Sequence, residues 1–469
     1  MRKTGEKISS KDLSASSTAS CSAGGERLSA AFTEVFGCQM NKLDAQVTCE
    51  LLQQQGFRTA ADPSEADAVV FFTCCVRQHA EDRFFSRLGR YKQLKQKKPQ
   101  LKIAVCGCIA EEHGEALLER FPFVDVVCGT RQFHRLGELL SAATPGNPVC
   151  AVGEGFVSYR RSKNLNSMPA QAYVAIMRGC SLHCTYCIVP RVRGPEVSRP
   201  PDDIKREVEQ LVETGVREIT LLGQTVNAYG RSLGNGWNLA KLLYFLAEVP
   251  GLDRIRFITS HPRFMTDELI EAVASIPQVC EGLHLPAQSG SDRILRRMAR
   301  GYTRTQYERI VEKCYERIPG FALAGDIIVG FSGETEEDFK QTVDLVEKVG
   351  YQNLFVFKYS VRPGTPAAKL PDDVPKEVKE RRNNELLAVH RTQALALYRR
   401  AVGKEVEVLV EGPSTRNPEL FSGRTRTGQI VIFPPGDALV GQLRRIAVTD
   451  ATAVALYGRL ADGESPDGR

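Results

Sequence analysis

The stretch Met177–Gly194, MRGCSLHCTYCIVPRVRG, sets Cys180, Cys184 and Cys187 at Cys-x3-Cys-x2-Cys spacing. Three thiolates on one short loop suit three irons of a 4Fe–4S cubane and leave the fourth iron without a protein ligand, where four cysteines are the usual complement. Such a gap is an open coordination site, like that of a catalytic zinc centre. Coincidence is a weak rival. The chain has 14 cysteines in 469 residues, so two more at fixed offsets from a given one arise about once in 1,000 trials, roughly once in 100 over the chain. A zinc site would need a fourth ligand, and His183 is crowded between the cysteines. Pro190, Arg191 and Gly194 read as a loop rather than a helix.

Around this loop the sequence alternates between strand and helix periodicity. A strand at Tyr173–Met177 leads into the cysteines, and further strands are expected at Glu218–Leu222, Arg254–Thr259, Gly282–Leu285, Ala322–Val329 and Leu354–Lys358. Helices are expected between them, at Asp203–Thr214, Leu239–Glu248, Asp267–Ser275, Asp292–Met298, Arg304–Arg317 and Glu336–Val349. Six βα repeats predict a partial (β/α)6 barrel, with the loops after the strands lining the site. Those loops are polar: Gly223-Gln224-Thr225-Val226-Asn227, Ser260-His261-Pro262 and Pro286-Ala287-Gln288-Ser289-Gly290-Ser291. Gly223, Gln224, Gln288 and Ser289 are the candidate cofactor contacts there. Thr335, after Gly330-Phe331-Ser332-Gly333-Glu334, is placed to cap the next helix.

An earlier βα series begins at Phe32–Phe36 and continues through strands at Ala68–Phe72, Lys102–Val105 and Val124–Val127. Its helices are expected at Lys42–Gln55, Gln78–Lys97, Glu111–Arg120 and Gln132–Leu140. The alternation implies a parallel α/β sheet. Cys38, Cys74 and Cys108 each follow the carboxyl end of a strand, and in such sheets those ends share one ligand-binding edge. Three thiols distant in sequence therefore converge, as a second cluster with an open iron would require, although Cys75, Cys106 and Cys128 sit almost as well. The helix after Cys74 carries Arg83, Arg87, Arg90, Lys92, Lys95, Lys97 and Lys98, and Lys102 follows it, with no acid among them. Such a run is a solvated face or, with an RNA partner, a phosphate contact.

The chain is expected to divide into an extension at 1–28 that reads as disordered, an α/β domain at 29–150, a linker at 151–168, the barrel domain at 169–400, a small β-barrel at 401–462 and a tail at 463–469. A charged helix over Pro375–Arg400 leads to the last domain, whose alternating segments suggest about five strands; such barrels often bind nucleic acid. Net charge is +6, with 42% hydrophobic and 25% charged residues. This is the composition of a globular protein with an ample core, and it tolerates a polyanionic partner without demanding one. No apolar run is long enough to span a membrane. With no secretory signal, the thiols read as metal sites in a reducing cytoplasm rather than as disulfides.

The cysteine loop resembles the signature of the radical S-adenosylmethionine (SAM) enzymes, with Tyr186 in the usual aromatic slot before the third cysteine. The resemblance widens through Gly37-Cys38-Gln39-Met40-Asn41, Thr73-Cys74, Gly107-Cys108, the Arg-x-Arg-Gly flank of the loop, Leu222-Gly223-Gln224-Thr225-Val226-Asn227-Ala228-Tyr229 and His284-Leu285-Pro286-Ala287-Gln288-Ser289-Gly290-Ser291. Together these motifs are similar to the methylthiotransferases, and within them to the branch acting on N(6)-dimethylallyladenosine of tRNA. The resemblance implies two 4Fe–4S clusters, an auxiliary one on Cys38, Cys74 and Cys108 and a SAM-cleaving one on Cys180, Cys184 and Cys187. It also implies a C-terminal TRAM domain that helps bind tRNA. SAM would serve twice, as methyl donor and as source of the radical that takes hydrogen from carbon 2 of the base at position 37, beside the anticodon. Related branches act on threonylcarbamoyladenosine or on an aspartate of a ribosomal protein; an unrelated alternative is a non-catalytic iron–sulfur RNA-binding protein. An electron donor and a sulfur source are implied partners, and a monomer is expected. Thr225, Ser332 and Cys75 depart from the usual Asn, Pro and Ser of the family motifs without removing a ligand, and Cys75 leaves a ligand ambiguity with Cys74.

Overall fold

The computed structural model describes residues 30–76, 78–155, 170–436, 438 and 440–461. The expected N-terminal extension, most of the linker and the tail lie outside them. The chain forms two compact units, Met1–Lys163 with Ile188–Gly194, and Asn164–Cys187 with Pro195–Arg469.

The first unit is a six-stranded parallel sheet of β1 (Ala30–Val35), β2 (Arg58–Thr59), β3 (Ala68–Thr73), β4 (Lys102–Gly107), β5 (Val126–Cys128) and β6 (Val149–Ala151), in the order β2-β1-β3-β4-β5-β6. Every residue of β3 is buried, as a parallel strand covered on both faces requires. Alternation sends Val69, Phe71, Ile103 and Val105 to one side, where they pack with Phe84, Leu88 and Tyr91. Ala68, Val70, Phe72, Ala104 and Cys106 go to the other, with Leu52, Phe133 and Leu136. The covering helices are α1 (Gln39–Gln54), α2 (Gln78–Lys97), α3 (Cys108–His113), α4 (Glu115–Arg120) and α5 (Leu136–Ala142).

Three local expectations are corrected. The single helix at Glu111–Arg120 is two, broken at Gly114. At the end of the α/β domain, where no strand was expected, Val149–Ala151 forms the edge strand β6. Pro190 and Arg191 do not lie in a loop: Val189–Arg193 forms a short helix, α6, with proline in its first turn and Gly194 ending it at φ +76°. Proline lacks an amide hydrogen that the first turn would leave unused, so it opens a helix readily.

In the second unit β7 (Gln171–Ala175) pairs with β10 (Glu218–Leu222), which pairs with β11 (Arg254–Phe257); β12 (Gly282–His284), β13 (Ala322–Val329) and β14 (Asn353–Lys358) form a second parallel trio. A parallel bridge from Ile255 to Val279 joins the trios into the expected open barrel of six strands. The short strands β8 (Met177–Arg178) and β9 (Val197–Ser198) pair antiparallel. Helices α7 (Pro201–Glu213), α8 (Leu239–Ala247), α9 (Asp267–Ser275), α10 (Asp292–Arg297), α11 (Arg304–Arg317) and α12 (Glu336–Val349) alternate with the barrel strands. Thr335 caps α12 in a reciprocal pair with Asp338. The long helix α13 (Lys376–Arg399) leads into a closed five-stranded barrel of β15 (Glu405–Pro413), β16 (Phe421–Thr425), β17 (Ile430–Phe433), β18 (Leu443–Ala451) and β19 (Ala455–Leu460).

The small barrel is seated on the amino-terminal ends of the large barrel's strands. Arg254, buried, reaches Glu407 (2.6 Å) and the Arg424 carbonyl (2.9 Å), and Arg256 donates to the Thr425 carbonyl (2.6 Å) and to Glu218 (2.7 Å). Arg426 returns an ion pair to Glu281 at 2.7 Å. Glu218 also lies 3.6 Å from Arg254, so one buried carboxylate serves a buried and a part-buried guanidinium group. Removing one member of a buried ionic group leaves uncompensated charge. Glu218→Ala is therefore expected to lower the urea-unfolding free energy by about 3–5 kcal/mol. A loss below about 1 kcal/mol, the range of surface pairs, would contradict this role.

Candidate metal centres

The three turns after β1, β3 and β4 carry Cys38, Cys74, Cys75 and Cys108, and two glycines let the turns approach. Gly37 has φ +111°, and a Cβ built there would stand 2.2 Å from Cys74 Cβ. Gly107 has φ +98°, and its Cβ would meet the Thr73 carbonyl at 2.7 Å. Only glycine fits both the backbone and the space. Asn41 and Thr73 then tie the turns together. Asn41 Nδ2 donates to the Phe36 carbonyl at 2.8 Å and the Thr73 carbonyl at 2.7 Å. Thr73 Oγ1 donates to the Cys106 carbonyl (2.7 Å) and accepts from the Ile109 amide (3.2 Å). Both residues belong to motifs visible in the sequence, but nothing there revealed that one side chain braces two turns.

The thiols form two hydrogen-bonded pairs, Cys38 with Cys74 and Cys75 with Cys108. The bond from Cys74, assisted by the Arg193 guanidinium, draws the Cys38 thiol down to about 6. Cys75 and then Arg193 likewise lower Cys108. Cys74 and Cys75 are pushed up as the proton donors of their pairs and by burial. Thiolates are the metal-binding form, so each pair holds one thiol that ionises more readily than an ordinary cysteine. Cys106 and Cys128 face the opposite side of the sheet, within the apolar layer of Phe72 and Phe133, which removes them from this group. Cys75 lies with Cys108 among Phe36, Ile109 and Val105. Among the described residues no three metal-binding side chains are gathered for a single ion; the donor set, four thiols on three converging turns with no carboxylate or imidazole among them, has the chemistry of a cluster.

In the second unit Cys180 and Cys184 are buried and Cys187 is partly exposed, while the His183 side chain points to solvent. Cys180 Sγ lies 3.3 Å from Thr225 Oγ1 and accepts the Leu182 amide at 3.4 Å. The loop is clamped through Thr185, whose amide donates to the Met298 carbonyl (3.0 Å) and whose hydroxyl donates to the Arg297 carbonyl (2.8 Å). Arg300 is buried and donates to Cys184 Sγ at 3.3 Å, Tyr302 Oη at 3.0 Å and the Pro286 carbonyl at 3.3 Å. Tyr186 stands edge-on to Phe331, 6.4 Å between rings, and burial pushes its hydroxyl well above the usual tyrosine range.

Beside this loop, the carboxyl ends of β10, β11 and β12 hold polar atoms without partners: Gln224 Oε1, Ser260 Oγ, His261 Nε2 and Gln288 Oε1 are all buried and unbonded. Orphaned buried polar atoms are costly and ask for an explanation. Gln288 also has φ +72° and nearby Thr259 φ +70°, a strain that proteins retain mainly where function requires it. Of the remaining candidates, Gly223 stands against Met177, and Ser289 Oγ accepts the Ser291 amide (3.2 Å) and lies 3.4 Å from Thr342 Oγ1. His261 and Ser260 were visible only as part of a polar loop. His261 Nδ1 accepts the Arg263 amide at 3.2 Å, so the ring proton sits on Nε2 and faces no partner.

Comparison with known proteins follows these boundaries. Residues 174–346 match the Radical SAM superfamily, 30–129 the "Uncharacterized protein family UPF0004" and 399–461 the TRAM domain. A tRNA-2-methylthio-N(6)-dimethylallyladenosine synthase of Bordetella petrii is 44% identical over 441 residues, 92% of this chain and 91% of that protein. One from Moorella thermoacetica is also 44% identical, over 91% of this chain and 97% of its own length. Among solved structures, the radical S-adenosylmethionine methyltransferase TsrM of Kitasatospora setae, with tryptophan and a SAM analogue, shares the fold at a TM-score of 0.53 and 16% identity, over 73% of this chain and 75% of that one.

Gly37→Ala forces a side chain into Cys74 at an unfavourable φ. Anaerobic reconstitution of this variant is expected to yield about four irons per chain where the wild type yields about eight; equal iron in both would disprove the placement. Burial holds His261 at about 2, below its ordinary 6.5. Between those values the unfolded chain binds a proton that the folded chain does not, so stability is greatest above about 6.5 and falls as pH falls. The urea midpoint of the apo-protein should drop between about pH 7.5 and 5.5, and His261→Gln should flatten that drop.

Proposed function

The chain belongs to the family of tRNA-2-methylthio-N(6)-dimethylallyladenosine synthases, and on that premise we propose that its two cysteine groups divide one reaction between them. The product is the 2-methylthio derivative of N(6)-dimethylallyladenosine at position 37 of tRNA, with SAM as both methyl and radical source. Cys180, Cys184 and Cys187 hold the SAM-cleaving 4Fe–4S cluster; Cys38, Cys74 and Cys108 hold the auxiliary one. When bound, the first cluster supplies the electron that cleaves SAM and the second an open iron at which sulfur is held, chemistry that no amino-acid side chain offers an unactivated aromatic C–H.

The observation that carries this reading is the row of unpartnered buried groups beside the Cys180–Cys187 loop. Gln224 and Gln288 present carbonyl oxygens, acceptors for an ammonium; His261 Nε2–H is a donor for a carboxylate; Ser260 serves either. SAM carries both groups on one carbon. Thr185 and Arg300 keep the cysteine loop in place beside them, and Tyr186 with Phe331 walls off water.

The tRNA side rests on fewer residues than the sequence suggests. Of the basic run, Arg87 pairs with Glu34 (2.9 Å), Lys95 with Asp125 and Lys98 with Asp67 (3.6 Å), while Lys102 donates to the Leu140 carbonyl (2.6 Å). Arg83, Arg90 and Lys97 stay exposed at seven-residue steps on α2, a single cationic stripe suited to a phosphate backbone. An anticodon-loop adenosine is single-stranded and can be turned into a pocket. No helix among the described residues is long and apolar enough to cross a membrane, and a reducing cytoplasm suits thiolate-held clusters.

Nucleoside mass spectrometry of tRNA from cells lacking this chain is expected to show loss of the methylthio nucleoside and accumulation of its dimethylallyl precursor. Unchanged levels would point to threonylcarbamoyladenosine or a ribosomal protein as the substrate. Cys38→Ala, Cys74→Ala and Cys108→Ala together should spare SAM cleavage and abolish methylthio transfer, whereas Cys180→Ala should abolish both.

A further inference from the structure

Arg193 is 4% exposed in the first unit, carried there by α6. Its segment is held from two sides: Ile188 and Val192 are packed with Phe36, Ile109 and Cys108, and Thr130 Oγ1 donates to the Val192 carbonyl at 2.7 Å. The guanidinium donates to Asn41 Oδ1 at 2.7 Å and lies 2.8 Å from Asp44 Oδ2. Asn41 is the residue that braces the turns of Cys38 and Cys74. Through Asn41 the guanidinium is joined to the turns that carry Cys38 and Cys74, and its own segment packs against Cys108 through Ile188 and Val192. Asp44, 2% exposed, faces Cys38 with the opposite sign.

A buried arginine needs anionic partners, and here it has the Asp44 carboxylate at 2.8 Å and, through Asn41, the turns that carry the thiols. Three cysteine thiolates bring more negative charge than the Asp44 carboxylate alone, and the guanidinium is a buried cation beside the turns that carry them. Hydrogen bonds and charge beside cluster sulfurs set the reduction potential of iron–sulfur centres, and partners behind the ligands orient them. We propose that Arg193 is a positioning residue for the auxiliary cluster, fixing through Asn41 the turns that carry its ligands and raising the cluster's reduction potential, with Asp44 as the opposing charge that limits the rise. This rests on the assignment of Cys38, Cys74 and Cys108 to that cluster. It adds a residue from the segment that follows the other cysteine loop in sequence.

The test uses the full chain carrying Cys180→Ala, Cys184→Ala and Cys187→Ala, so that only auxiliary iron is read, by iron analysis and by potentiometric titration followed by electron paramagnetic resonance. If this chain holds no iron, the cluster assignment itself fails, separately from the role of Arg193. Arg193→Gln removes the cation and should lower the reduced-to-oxidised ratio at fixed potential at least tenfold, about 59 mV for one electron. Asp44→Asn should shift it in the opposite direction, and Arg193→Lys, which keeps the charge, should stay near the parent. Loss of iron from Arg193→Gln with retention in Arg193→Lys would also support the role. Equal potentials in Arg193→Gln and its parent, shifts of the same sign in Arg193→Gln and Asp44→Asn, or loss of iron from both arginine variants with the fold intact by circular dichroism, would overturn it.

Discussion

A site made of thiols from separate βα turns exists only if those turns can touch, and the limit here is the contact between Gly37 and Cys74. Parallel strands lie a fixed distance apart, so their carboxyl-terminal turns must lean together for side chains as short as cysteine to meet. Glycine at 37 and 107 permits the lean, with no Cβ to meet the next turn. Asn41 and Thr73 make it permanent by spending side-chain hydrogen bonds on the turns' own carbonyls and amides. Buried backbone groups that would otherwise need water are satisfied in the same step. Packing and chemistry coincide because the residues that satisfy the backbone are the ones that aim the thiols.

The second unit solves a different problem. Its three cysteines already share a loop, so proximity comes from the sequence and orientation has to come from elsewhere. The chain around Met298 provides it: the Arg297 and Met298 carbonyls accept from Thr185 of the loop, and Arg300 donates to the loop's Cys184 sulfur. The front is left unsatisfied: four buried polar atoms at three strand ends have no protein partner. A structure optimised only for stability would pair or remove them. Their retention, with left-handed backbone at Thr259 and Gln288, is the mark of a surface completed by a ligand.

Much of this was legible in the sequence. Strands at Glu218–Leu222 and Ala322–Val329 and helices at Gln78–Lys97, Asp267–Ser275, Arg304–Arg317 and Glu336–Val349 occur at the expected boundaries, because caps and apolar periodicity agree there. What escaped had little local signal. Strand β6 is three residues long and exists by pairing with β5. Helix α6 opens on a proline that also reads as a loop residue. Choosing among six strand-end cysteines required knowing which face of the sheet each occupies, and Cys106 differs from Cys108 by two positions and an intervening glycine turn. Asn41, Thr73 and Arg193 gain their meaning from partners tens to more than a hundred residues away.

Charge shows the same dependence on partners. A basic helix and basic residues near a nucleic-acid-binding type of barrel suggest a broad cationic surface, but the fold claims many of those cations first. Arg254, Arg256 and Arg426 join the small barrel to the amino-terminal ends of the large one, and half of the run on and after α2 is tied to Glu34, Asp125, Asp67 and a carbonyl. Buried guanidinium groups cannot also serve phosphates, since each would have to leave a carboxylate or carbonyl unpaired in the interior. The cations available to RNA are those that the fold leaves exposed. The two buried arginines at the cysteine turns, Arg193 and Arg300, form a third class: Arg300 donates to Cys184 Sγ, and Arg193 to Asn41, which braces the turns of Cys38 and Cys74.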